Sequence, residues 1–434
     1  MPTAALLALF AASALRAQPL LSTSSNRYDV HFQATVIDQG HSRFHALYNG
    51  PRSLDPNPES ANSVTSTLFL GLRALEGTEL YVDPELTGGR GIGGAVGLGG
   101  VTNGETFRTG SPQPVISTAR LFVRQIFGLT AEREKVEDGL NQVAGERPVR
   151  RVTLTAGKFS MGDLFDGNAY SHDPRSQFMN WALMDSAAWD YPADTRGYTW
   201  GAAAEYHEPK WDLRAAAAAE PRSANAIDLD RRVGRAHGLA LEGERRTDFS
   251  GRTGSVRLLT FLNEARMGSY AETLATPRFN NDVTQDRAYG RTKYGFAVSA
   301  DQKLSDAFGA FTRLSWNDGR NETWAFTEVD RSAALGLDFN PSRWGRADDE
   351  AGAAVVVNGL SADHRRYLAA GGQGFLLGDG ALHYGPEIIE EIYYRVQLLA
   401  QLQVSPDAQL VVNPGYNRAR GPVPVWGVRV HAQF

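Results

Sequence analysis

Hydrophobic and polar residues alternate along this chain with a period of two, most clearly at its end. In Val425-Trp426-Gly427-Val428-Arg429-Val430-His431-Ala432-Gln433-Phe434, one parity reads Trp, Val, Val, Ala, Phe and the other carries Gly427, Arg429, His431 and Gln433. That period belongs to a strand with one apolar and one wet face. Trp426 and Phe434 share the apolar face, some 25 Å apart at ~3.3 Å per residue, the separation of two aromatic girdles on a membrane barrel.

The same alternation recurs upstream. Tyr28, Val30, Phe32, Ala34 and Val36 oppose Asp29, His31, Gln33 and Thr35; Val64, Leu68, Leu70 and Leu72 oppose Thr65, Thr67, Phe69 and Arg73. Further outward sets are Tyr198-Trp200-Ala202-Ala204-Tyr206, Tyr294-Phe296-Val298-Ala300 and Ala333-Leu335-Leu337-Phe339. A last set runs Tyr394-Val396-Leu398-Ala400-Leu402-Val404, read as one strand. A soluble sandwich alternates too, so the connections decide.

Short connections (Leu75–Gly77, His207–Pro209, Arg246–Gly251, Ser305–Ala307, Pro341–Asp349, Ser405–Asp407) take turns with long ones. The long ones are Asp38–Asn62, Glu85–Val115, Met161–Arg196, Pro221–Arg235, Asn263–Ala288, Asn317–Arg331 and Ser361–Glu387. Short turns at one rim and long loops at the other predict an all-β, transmembrane antiparallel barrel of about sixteen strands, with long extracellular loops partly folded into the lumen. An even count puts both termini on the short-turn, periplasmic side. Two segments strain the pattern. Leu129–Gly145 stands where a short turn belongs, and the spacing of Val136, Leu140 and Val143 predicts a small helix outside the membrane. Ala215–Ala219 has helical propensity, but its place between a turn and a loop predicts a strand.

Composition adds limits. There is no cysteine, as suits passage through an oxidising compartment without disulfides. The mean hydropathy of −0.34 and the lack of any run near the roughly 20 apolar residues of a spanning helix exclude a helical membrane protein. Ala4–Leu15 is apolar but short, which predicts a signal peptide over residues 1–17, cleaved near Ala14 or Ala17, and a single barrel domain over 18–434. A net charge of −5 leaves no basic footprint for nucleic acid.

Candidate chemistry is sparse. Gly89-Arg90-Gly91-Ile92-Gly93-Gly94 formally matches a dinucleotide fingerprint, but no helical pattern follows it, so the glycine-rich stretch Gly88–Gly104 reads as a mobile surface loop or a loop tucked into the pore. Asp163–Asp194 is dense in carboxylates, amides and aromatic rings without metal-ligand spacing, and reads as a surface loop or a constriction loop. No GxSxG elbow occurs, so no enzyme is expected, and no cofactor or metal. The better lead is the wet parity: Arg73, Arg120, Arg124, Lys158, Arg257, Arg313, Arg395 and Arg429, with Glu205, Glu242, Glu244, Asp301 and Asp338, fall on or near it. Sugars suit such walls, because hydroxyls pair with charged and amide groups while C–H faces lie on aromatic rings.

Several blocks carry a resemblance: Arg120-Leu121-Phe122-Val123-Arg124-Gln125-Ile126-Phe127, Ala156-Gly157-Lys158-Phe159-Ser160 with Asp163-Leu164-Phe165-Asp166-Gly167-Asn168, Asp173-Pro174-Arg175-Ser176-Gln177-Phe178-Met179-Asn180-Trp181, Glu391-Ile392-Tyr393-Tyr394, and Pro406 to Gly415. Together, and in this order, they resemble the carbohydrate-selective outer-membrane porin family (OprB-type). The resemblance implies a 16-stranded barrel whose inward-folded loops narrow an eyelet, passing glucose and related sugars into the periplasm by facilitated diffusion. It implies insertion by the outer-membrane assembly machinery through Phe434, within outer-membrane lipid and lipopolysaccharide. It also implies a constriction built from Glu85, Arg90, Arg124, Lys158, Asp166, Asn168, Arg175, Asn180 and Trp181. Three other readings remain open: a general or anion-preferring diffusion pore, and, further off, an outer-membrane hydrolase or a structural or adhesive barrel with a plugged lumen.

Overall fold

The computed structural model describes residues 23–105 and 113–434; the leader expected over residues 1–17 lies outside them. Sixteen strands of nine to seventeen residues run antiparallel to their neighbours, and the last pairs with the first, so the sheet closes. In chain order they are β1 (Tyr28–His41), β2 (Glu59–Leu75), β3 (Thr78–Gly89), β4 (Val115–Gly128), β5 (Arg151–Phe159), β6 (Thr199–Glu208), β7 (Trp211–Ala219) and β8 (His237–Phe249). The second half comprises β9 (Arg252–Ala265), β10 (Arg291–Lys303), β11 (Phe308–Asn317), β12 (Arg331–Phe339), β13 (Glu350–Gly359), β14 (Glu387–Leu399), β15 (Leu402–Val412) and β16 (Val423–Gln433).

Closure removes every free strand edge, which a bilayer requires because it offers backbone amides no other partner. The seam shows it in register: Trp426 opposes Gly40, Arg429 opposes Ile37 and Gln433 opposes Gln33. Gly40 is where the Trp426 ring lies, since a Cβ there would sit 2.3 Å from that ring. Phe434 extends the seam, donating its N–H to the Phe32 carbonyl at 2.8 Å and accepting from the Phe32 N–H at 3.1 Å. Its ring is covered by Phe32 and Leu402 rather than bare.

The alternation faces the way the sequence predicts. Trp426 and Val428 remain 51% and 41% exposed, and Leu70, Leu121, Leu154, Leu213, Leu241, Leu258, Phe296, Leu314 and Leu337 continue that outward apolar surface around the cylinder. Glu79, Asp83, Glu242, Arg313, Glu391 and Arg429 point inward and are buried. Apolar side chains outside and charged ones inside invert a soluble barrel and match a membrane one.

One rim carries the start of β1, the end of β16 and mostly tight turns, of two residues at 76–77, 209–210, 250–251 and 400–401. The opposite rim carries connections of ten to 39 residues, the longest between Phe159 and Thr199. Four local expectations are corrected. Tyr394–Val404 is not one strand: β14 ends at Leu399 and turns at 400–401, while Ser405-Pro406-Asp407 lies inside β15. Tyr198 precedes β6 and turns inward, so the outward set starts at Trp200. Lys158 pairs in register with Leu121 and Trp200, both outward, so its backbone position leaves the wet face on which it was expected, while its ammonium reaches back to Asp194 at 3.8 Å and over the Tyr198 ring. Leu129–Gly145 forms no helix: Arg133–Val136 pairs with Gly145–Pro148 as a two-stranded hairpin. Gly139, and Asn141 at φ 54°, fall inside the stretch where that helix would run, and the spacing of Val136, Leu140 and Val143 is coincidental. Ala215–Ala219 is strand, within β7.

Candidate functional site: a lumen narrowed by inserted loops

The long connection 160–198 enters the lumen and is held by its main chain. Glu391 of β14 accepts the N–H groups of Met179 and Asn180 at 2.5 and 3.0 Å, and Glu242 of β8 accepts that of Asp166 at 2.7 Å. Arg313 of β11 donates to the carbonyls of Leu183 and Asp166 at 2.6 and 3.1 Å. A buried amide without a partner costs about 1–3 kcal/mol, so these wall groups replace the secondary structure that the segment lacks. From within the segment, Asp190 accepts the N–H groups of Trp324, Ala325 and Phe326 at 2.8–3.0 Å and tethers a second loop.

The glycine-rich connection is tucked inward beside it. Glu387 receives the N–H groups of Gly99 and Gly100 at 3.1 and 2.8 Å, and Trp181 donates from its backbone to Val101 and from its indole to Asn103. Gly97, at φ +86°, approaches Leu54 so closely that a Cβ would lie 2.0 Å from its nitrogen. Leu98 and Val101 are buried. Of the two readings of this stretch, the inserted loop is the one seen.

Both segments crowd the lumen against β8–β15 and leave a cavity of about 590 Å³ along β2–β6. Ion pairs bridge that wall and the loop. Arg120 of β4 grips Asp163 at both carboxylate oxygens, 2.7 and 2.6 Å, and lies 3.4 Å from Asp83. Arg175 stands between Glu105 at 2.9 Å and Glu85 at 3.6 Å. Glu85 also accepts from Thr67 at 2.8 Å and from the Tyr198 hydroxyl at 3.0 Å. Lower down, Glu79 faces Arg147 at 3.2 Å, Arg73 at 3.1 Å and Arg124 at 3.6 Å. The aromatic side is a stack: Trp181 lies on Phe326 at 5.6 Å and 7°, and Tyr191 lies 4.4 Å from Phe326.

Burial opposes charging the loop groups, and their partners outweigh it. The Asp163 carboxyl is held below its usual range by Arg120, and Asp173 by Arg175. The His172 imidazole is raised above 6.5 despite burial because Asp185 lies 3.4 Å away.

Glu85, Arg124, Arg175 and Trp181, among the residues named from the sequence, line this cavity. The other five lie elsewhere. Asp166 and Asn168 face the opposite wall, where Arg313 lies 3.4 Å from Asp166 and Asn168 donates to Ser299 at 3.1 Å. Asn180 is wholly buried as the cap of the short helix Trp181–Met184, holding Gly100 and Gln409. Arg90 is exposed at the rim, 3.8 Å from Glu59. Lys158 caps the Thr118 carbonyl at 2.9 Å. Sequence reasoning did not name Glu105, Asp163 or Tyr198 for this site; a Tyr preceding an alternating strand carries no signal that it turns inward.

A closed sixteen-stranded barrel with an apolar exterior and a loop-narrowed polar lumen is a diffusion channel of the bacterial outer membrane. The sequence model of the carbohydrate-selective porin, OprB family, matches residues 70–434, and the chain belongs to that family. It is a porin through which sugars diffuse. In structure it is similar to Pseudomonas putida OprB at high pH, with a TM-score of 0.71 and 16% identity over 94% of each chain. The low-pH structure of that protein gives 0.51 and 12% over 94% of this chain and 93% of the other. The outer membrane channel DcaP of Acinetobacter baumannii gives 0.51 and 11% over 95% and 99%. Among curated proteins no significant match was found.

Proposed function

We propose that the channel passes glucose-sized neutral sugars passively into the periplasm, with a weak solute site where the 160–198 loop faces β2–β6. The observation that carries this reading is charge pairing. Arg73, Arg124 and Arg147 share Glu79, but Arg120 and Arg175 each face two carboxylates and Arg151 one. Six guanidiniums thus stand against six carboxylates (Glu79, Asp83, Glu85, Glu105, Glu134 and Asp163), and the wall is strongly polar without a net field for anions. Such a wall exchanges hydrogen bonds with hydroxyl groups, and the Trp181–Phe326–Tyr191 stack supplies an apolar face for sugar C–H groups. Weak binding suits conduction, because a tightly held solute does not leave. Glu85, Arg124, Arg175 and Trp181 are the eyelet residues in this proposal, joined by Glu105, Arg120 and Tyr198.

In the same reading both termini lie on the periplasmic side, residues 1–17 are a leader, lipopolysaccharide surrounds the long-loop rim, and the assembly machinery reads Phe434. The protein is a channel and not a hydrolase. The test is a planar bilayer: glucose is expected to reduce the ionic current reversibly, with a reversal potential near zero in a salt gradient. A strong anion preference without glucose block would favour the general-pore reading instead.

A further inference from the structure

The connection between β4 and β5, on the tight-turn rim where β1 starts and β16 ends, does not hang outside the barrel. Its tip turns back into the lumen. Val143 is fully buried and donates its N–H to the Tyr81 hydroxyl at 3.4 Å, while Arg73 donates to the carbonyls of Val143 and Ala144 at 3.2 Å. Asn141 donates to Asp83 at 2.9 Å, and its own carbonyl receives Arg124 at 3.0 Å. At the base, Arg147 and Arg151 pair with Glu79 and Glu134, and His31 lies 3.2 Å from Asp138. Leu140, Asn141 and Gln142 line the same cavity as Glu85, Arg175 and Trp181.

Asp83 is where the two intrusions meet. It lies five residues into β3 from the tight turn, some 16 Å along the strand at ~3.3 Å per residue. From one side it receives Asn141 of the hairpin; from the other it faces Arg120, which holds Asp163 of the large loop. Glu85, two residues further on the same inward face, belongs to the large-loop constriction.

We infer that this porin has a second constriction, built from the tight-turn rim by the Leu129–Arg150 hairpin, in which Asn141 and Gln142 select solutes as they leave the large-loop eyelet. This rests on the sugar-channel reading for the identity of the solute but not for the narrowing itself. The hairpin tip presents an amide side chain, Gln142, and a carbonyl-anchored turn at Asn141, whose φ of 54° fixes its direction. Asn141 gives its amide nitrogen to Asp83 and Gln142 gives its own to the Glu137 carbonyl at 2.9 Å, so the tip is fixed where it lines the cavity with Arg124, Arg147 and Arg151, and together these offer a solute a second set of polar groups. Two weak sites in series hold a solute without trapping it, the condition for flux through a narrow pore.

The chain has no cysteine, so one introduced thiol is the only one. Gln142→Cys in the full-length barrel, reconstituted in a planar bilayer and labelled with a charged methanethiosulfonate, is expected to lower conductance in potassium chloride by about twofold. Asn141→Gly, which tolerates the positive φ, frees the tip from Asp83 and is expected to raise conductance and admit disaccharides faster in liposome swelling. Complete labelling of Gln142→Cys with unchanged conductance, or Asn141→Gly with wild-type conductance and swelling rates, overturns the inference. The salt conductance reads the narrowing whether or not glucose blocks the wild-type channel. Absence of that block with a conductance change in both variants therefore retires the sugar reading and keeps the second constriction.

Discussion

Arg120 and Asp163 meet in a two-point ion pair, Nε at 2.7 Å and Nη2 at 2.6 Å, that joins the barrel wall to the loop inside it. A fork-to-carboxylate contact fixes orientation as well as distance. Asp163→Asn keeps the size but loses the charge, at a cost on the order of 1.5–3 kcal/mol for a hydrogen-bonded charged group. The expected outcome is a noisier channel of higher conductance with weaker glucose block, measured by single-channel recording.

Arg175 separates two carboxylates, Glu85 and Glu105. Arg175→Ala leaves two negative charges facing the pore without their cation. Reversal potential in a salt gradient is expected to shift toward cation preference, with reduced glucose block; an unshifted potential would mean that Arg175 does not set the field of the passage.

Trp181 combines a stacked ring with an indole N–H given to Asn103 at 2.7 Å. Trp181→Ala removes a buried aromatic, at about 3–5 kcal/mol, and is expected to lower the temperature of heat modification on gels as well as the affinity for glucose. Trp181→Phe keeps a ring against Phe326 and is expected to restore most of the block.

His172 carries a pH dependence whose sign follows from its raised pKa. Folding of the loop gains from the protonated imidazole below the unfolded value, and that gain disappears as pH rises through the raised folded value. As pH rises through and above the usual imidazole range the channel is expected to become more cation-preferring and its loop more accessible to protease, because Asp185 is then left without its cation. His172→Gln is expected to abolish that dependence, read by reversal potential at each pH.

Phe434 closes the seam with two backbone bonds to Phe32, and its ring covers the gap beside Leu402. Deleting it removes both bonds at the joint between the first and last strands. Refolding into liposomes is expected to slow, with a larger fraction remaining unfolded on semi-native gels; wild-type kinetics would remove Phe434 from the closing step.

The barrel was legible because its solvent changes sides at every residue: Trp426 and Arg429 announce hydrocarbon and water by parity alone. Parity also placed Arg124 inward, whereas Glu85, expected at the start of a long connection and named only through the family resemblance, sits on β3. It carries nothing about a segment without period. Asp166, Asn168 and Asn180 lie in the polar loop that the sequence singled out, yet they grip the far wall, because the path of that loop is set by Glu391, Arg313 and Glu242, far away in the chain. The tip at Asn141 to Val143 is illegible for the same reason: Val136, Leu140 and Val143 mimic helical spacing around Gly139, and the tip's partners, Tyr81 and Asp83, lie on another strand.

The carboxylates of Glu242, Glu387 and Glu391 clasp peptide groups of the invading segments and take no hold of their side chains. Any amino acid but proline offers the same handle. Residues that face the passage are thereby released from the task of anchoring, and evolution has a mount on which the calibre and taste of the filter can be retuned one substitution at a time while its frame stays put.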